Sequence, residues 1–133
     1  MKMLDRRMFL IALTAVSSFA CALDATAGDR MPYTQQAFED AQKAGKPILV
    51  DISASWCPIC KAQKQVLAKL LPSAEHADIA VFEVDFDSQK DVVRAFGARM
   101  QSTLITFKGK KEVGRLVAVT KADAIKRLLD STS

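Results

Sequence analysis

The chain has 133 residues, half of them hydrophobic and 26% charged, with a formal net charge of +4. That length suits one domain with a single core, and no repeat or low-complexity stretch divides it. Lys and Arg are scattered, with no basic groove interleaved with aromatics, which argues against a nucleic-acid partner.

Residues 1–27 read as a processing segment and residues 28–133 as the mature domain. Lys2, Arg6 and Arg7 make a positive start, and Phe9 to Phe19 an apolar run too short to span a bilayer. Ala25-Thr26-Ala27 offers a small-residue cleavage site before Gly28. Arg6-Arg7-Met8-Phe9-Leu10 resembles the twin-arginine export signal, and that reading is preferred to an ordinary secretory signal. Export of this kind implies a protein that crosses the membrane folded, resides in the periplasm and keeps no stable membrane insertion once the signal is removed. Ser18-Phe19-Ala20-Cys21 fits a lipobox poorly, so Cys21 is read as a small apolar residue discarded with the signal rather than as a lipid anchor. The mature chain then keeps only Cys57 and Cys60.

The first expected helix runs from Thr34 to Ala44, with Ala37, Phe38 and Ala41 on one face, Thr34 as its cap and Gly45 at its end. Pro47 to Ser53 is rich in β-branched residues and reads as a buried strand. Pro58 to Leu71 places Val66, Leu67, Leu70 and Leu71 on one helical face. Pro72 breaks the chain. Ile79 to Phe86 reads as a second strand, and Gln89 to Phe96 as a short helix ending at Gly97. Thr103 to Lys108 and Glu112 to Val119 flank Gly109-Lys110-Lys111 as a hairpin, and Ala122 to Leu129 closes the chain as a helix. The pattern is mixed α/β.

Trp56-Cys57-Pro58-Ile59-Cys60-Lys61 sits at the junction of the first strand and the second helix. A helix start leaves backbone N–H groups unpaired and carries the positive end of the helix dipole, so an anion such as a thiolate is favoured there. Cys57 is therefore expected to have a lowered pKa and to act as the nucleophile. Pro58 suits the first helical position, where its missing N–H costs nothing. Cys60, one turn on, shares that face at a spacing that lets a short disulfide close, and is the expected resolving thiol.

From about Tyr33 to its end the chain resembles the thioredoxin family. The resemblance is carried by Asp51 six residues before Cys57, by Trp56-Cys57 and Cys60-Lys61, and by Phe96-Gly97 and Phe107-Lys108 at similar spacing. The Gly45-Lys46-Pro47 entry is similar to that of the periplasmic thiol-donor domain of the transmembrane electron shuttle. The implied fold is a central mixed β-sheet flanked by helices, although the family's first strand is not obvious in this sequence. The implied activity is thiol–disulfide exchange with client proteins, without cofactor or metal, by a monomer recharged from a membrane thiol donor.

Asp51, inside an apolar strand, is desolvated and expected to accept the Cys60 proton, the role the resemblance also implies; this is preferred to a carboxylate that reaches solvent or caps a turn. Trp56 either shields the disulfide and shapes the docking surface or simply packs. Lys61 is read as solvated. Thioredoxins place a cis-proline opposite the disulfide in a loop whose backbone pairs with extended substrate, and this chain carries Ser102 there. Gln101, Ser102 and Thr103 are thus the implied docking residues, beside Trp56. A non-proline cis bond costs about 2.5 to 4 kcal/mol, so the bond before Ser102 is expected to be trans. A hydrogen bond from Ser102 to the Cys57 sulfur is a hypothesis the substitution raises.

Glu83 stands where thioredoxin has a lysine near the buried aspartate. Either it faces Asp51 and the two acids titrate together, or it points outward with Asp85 and Asp87. Strongly oxidising relatives carry Cys-Pro-His-Cys and a helical insertion. Ile59 replaces that histidine and no insertion fits between Cys60 and Ser102, so the lean is toward a reductase. Two other classes stay open. One is a metal-binding or metal-delivery module, with His76 as at most a third ligand beside the two thiolates, although an exposed loop histidine is the preferred reading. The other is a binding module without turnover. Lys61 in place of histidine excludes haem attachment.

Overall fold

The computed structural model describes residues 30–133. The expected processing segment of residues 1–27, with Arg6, Arg7 and Cys21, lies outside them. Nine elements follow in order: β1 (Arg30–Pro32), α1 (Gln35–Lys43), β2 (Pro47–Ser53), α2 (Pro58–Leu70), β3 (Ala80–Asp85), α3 (Lys90–Ala95), β4 (Thr103–Lys108), β5 (Lys111–Val117) and α4 (Ala122–Asp130). They form one five-stranded sheet in the order β1-β3-β2-β4-β5. β1 and β2 both run parallel to β3, while β4 runs antiparallel to β2 and to β5. The expected mixed sheet flanked by helices is present, and β1 is the strand that sequence reasoning did not find.

Local chemistry sets the boundaries. Thr34 caps α1 by accepting the Ala37 N–H on its hydroxyl at 3.2 Å, and Gly45 takes the left-handed φ of +67° that reverses the chain into β2. The central β2 is buried along nearly its whole length and alternates between the two faces of the sheet. Ile48, Val50 and Ile52 meet Phe38 of α1, Val93 of α3, and Phe82 and Phe107 on one face. Leu49 meets Leu67 of α2 and Ile125 and Leu129 of α4 on the other. The molecule is therefore three layers, α1 and α3 on one side and α2 and α4 on the other.

α4 seats against β5 at Gly114, where an added Cβ would stand 2.6 Å from Leu128 Cδ1 and 2.9 Å from Thr106 Oγ1. Among the described residues no helix is long and apolar enough to cross a membrane.

Asp51 follows the parity of Leu49, so it lies on the face that α2 covers. Thr103 opens β4 opposite Ile52. The end of β2, the start of α2 and the start of β4 thus gather at one end of the sheet, and the expected site residues are there.

Candidate active site

Cys57 is the N-cap of α2 and Pro58 its first residue. The Cys60 backbone N–H donates to Cys57 Sγ at 3.1 Å, so one otherwise unpaired donor of the helix start is taken up by that sulfur. Cys57 and Cys60 are joined as a disulfide with Cα atoms 5.3 Å apart. Both are buried, with Ala54 and Phe86 against them. A thiolate released at Cys57 would sit at the positive end of a 13-residue helix, which favours it over a thiol.

Asp51 is fully buried. Its Oδ2 accepts from Arg30 Nη1 at 2.9 Å, and Oδ1 has no hydrogen-bond partner. Burial pushes its pKa up; the Arg30 guanidinium, then the more distant Lys64, pull it back, and Glu83 adds a small upward push. Glu83 takes neither of its two expected positions cleanly. It pairs in register with Asp51, but the same Arg30 Nη1 donates to its Oε1 at 2.8 Å, and Lys64 Nζ lies 3.5 Å from that oxygen. One guanidinium from β1 bridges both acids and sets a cation beside the buried carboxyl.

Arg30 was missed in the sequence because a three-residue strand carries no periodicity. The only available signal was two acids in need of a cation.

Exposed apolar side chains flank the dithiol in sequence, and others stand just before β4 and at the end of β5. Trp56 is 58% exposed, and its indole N–H donates to Asp87 Oδ2 at 2.8 Å, so its ring is pinned on the surface and does not pack in a core. Ile59, Met100 and Val117 are also exposed, the last paired with Thr103 across β4 and β5. Lys61 is exposed, as expected.

Gln101 is half-buried, and Ser102 and Thr103 are buried. No cis peptide bond occurs among the described residues, so the bond before Ser102 is trans. Ser102 adopts φ of +57°, a conformation disfavoured for a residue with a Cβ. Its hydroxyl donates to the Gln101 carbonyl at 2.6 Å, which spends the proton that a bond to the Cys57 sulfur would need. Gln63, not singled out in the sequence, is fully buried on α2 and donates to the Ser102 and Val119 carbonyls.

His76 corrects two expectations at once. It is buried, not exposed, with Nδ1 3.1 Å from both Ser73 Oγ and the Leu70 carbonyl and Nε2 2.8 Å from Asp130 Oδ1. It follows the far end of α2, about 20 Å along the helix from Cys57 at 1.5 Å per residue, so it is no third ligand to the thiolates. Glu75, His76 and Asp130 do converge, but the Lys126 ammonium already lies 3.2 Å from Glu75 and 3.0 Å from Asp130.

A dithiol pair at a helix start, over a central strand that holds a buried carboxyl, defines a thiol–disulfide oxidoreductase. The chain belongs to the thioredoxin family, whose model matches residues 30–131. It is 34% identical over 79 residues to a thioredoxin of Aspergillus fumigatus, covering 59% of this chain and 72% of that protein. It is also 34% identical over 88 residues to a thioredoxin of Alicyclobacillus acidocaldarius, covering 65% and 82%. Among solved structures, Trxlp from Edwardsiella tarda superposes with a TM-score of 0.74 at 40% identity, over 76% of this chain and 98% of that one.

Proposed function

We propose that this oxidoreductase works outside the cytoplasm and in the reducing direction. The Cys57 thiolate attacks a client disulfide and expels one client thiolate, leaving a mixed disulfide. Cys60, its proton taken by Asp51, then attacks Cys57 Sγ and releases the second client thiol. Two electrons pass to the client, and the Cys57–Cys60 disulfide remains. A membrane thiol donor returns the pair to the dithiol.

The observation that carries the mechanism is the Cys57 sulfur at the helix start, accepting the Cys60 amide, on the side of the sheet where buried Asp51 keeps one oxygen unpartnered. What supports the reducing direction is Ile59 in place of a histidine that would stabilise the thiolate form. What supports the location is the Lys2, Arg6-Arg7 and Phe9–Phe19 pattern before Ala25-Thr26-Ala27. Clients are proteins with accessible disulfides, docked on Trp56 and on the Gln101-Ser102-Thr103 backbone, and the enzyme acts as a monomer.

The test is reduction of insulin disulfides by the wild type, with a tagged Cys60→Ala variant expressed in whole cells from its full-length chain and the captured clients assigned to periplasm or cytoplasm. Turnover with captured periplasmic clients is the expected result. Absence of turnover would refute exchange, and capture restricted to cytoplasmic clients would refute the location.

A further inference from the structure

Gln63 is an expensive choice of core residue. It has no exposed surface, and its Oε1 is buried without a partner, a cost that an apolar side chain of the same size would avoid. In exchange its Nε2 makes two bonds, to the Ser102 carbonyl at 3.1 Å and to the Val119 carbonyl at 3.0 Å. The amide can point only this way, because the flipped oxygen would face two carbonyls.

Those two segments are where the strain is. Ser102 and Ala118 are the non-glycine residues with positive φ among the described residues, at +57° and +55°. The Ala118 N–H donates to the Ser102 carbonyl at 2.9 Å, so one oxygen gathers both segments and the Gln63 amide. Such conformations persist where surrounding contacts over-determine them. Gln63 lies three residues after Cys60, one turn deeper on the same face of α2. The helix that carries the thiols is thereby tied to the turn that opens β4 and to the chain that leaves β5.

We propose that Gln63 is a positioning residue for client docking: its carboxamide locks Ser102 and Val119 to the dithiol helix, so that the Gln101-Ser102-Thr103 backbone is held ready to pair with an extended, disulfide-bearing client. This rests on the exchange reading above. A small disulfide needs no strand pairing and reaches the Cys57 sulfur without that backbone.

The test compares Gln63→Met, which keeps the volume and loses both donors, with the wild type on two oxidants, insulin and hydroxyethyl disulfide. The expected result is a fall of about tenfold in the rate constant with insulin, a rate with hydroxyethyl disulfide within about twofold of wild type, and an unchanged reduction potential. Hydrogen exchange at the Ala118 amide should quicken. An equal loss on both disulfides, or none on insulin, overturns the proposal.

Should Gln63→Met not fold, Gln63→Asn, too short to reach both carbonyls, is held to the same split and is overturned by the same results. A wild type inert toward both disulfides would overturn the exchange reading itself, and the docking role with it.

Discussion

Arg30 Nη1 stands 2.9 Å from Asp51 Oδ2 and 2.8 Å from Glu83 Oε1, one cation shared by a buried acid and a half-buried one. Without it Asp51 would keep the burial that raises its pKa and lose the largest effect that lowers it. Arg30→Met should therefore move the Asp51 carboxyl titration, followed by carbon-13 NMR, to still higher pH. It should also cost about 1 to 3 kcal/mol of stability, since Asp51 can take up a proton and stay neutral. An unmoved titration would show that the bridge does not act on Asp51.

Asp51→Asn should stabilise the fold at neutral pH while it slows exchange. The folded pKa is raised above the unfolded one. The stability tied to the protonated carboxyl is thus fully present below the unfolded pKa of about 3.9, and is lost as pH rises through the folded value. At pH 7 the wild type carries that loss and the asparagine does not. Thermal melts should show a gain of about 4 to 8 °C per kcal/mol at pH 7 that vanishes near pH 3. A gain independent of pH would assign it to packing.

Most of the fold was legible because its signals are local and strong. The β-branched apolar run of Pro47–Ser53, the apolar face of Pro58–Leu70 and the caps at Thr34 and Gly45 each follow from neighbouring residues. What was not legible depends on residues far apart in sequence. Arg30 meets Asp51 across 21 positions and Gln63 meets Ser102 across 39. His76 was misjudged in part for the same reason, since one of its three partners, Asp130, is 54 positions away. The dithiol itself needed no such partner, and Cys57 and Cys60 were found from their spacing between a strand and a helix that neighbouring residues define.

The two cysteines should separate by role. Cys60→Ala should accumulate a mixed disulfide with insulin chains, visible by mass spectrometry under non-reducing conditions, because nothing remains to attack Cys57 Sγ. Cys57→Ser should form no adduct. Adducts on Cys60 in Cys57→Ser at a comparable rate would reverse the assignment.

His76→Ala should lower Tm by roughly 4 to 8 °C for each kcal/mol lost, with a loss of about 1 to 3 kcal/mol from the bonds to Ser73, Leu70 and Asp130. Insulin reduction by the folded variant should match wild type, and zinc should not raise the wild-type Tm. A Tm rise with zinc that His76→Ala abolishes would recast the Glu75, His76 and Asp130 cluster as a metal site.

The reduction potential of the Cys57–Cys60 pair, measured by equilibration in glutathione and dithiothreitol buffers, bears most directly on the proposed reducing role. A value near the −270 mV or so of thioredoxin is expected, and one near the −120 mV or so of the strongly oxidising relatives would contradict it.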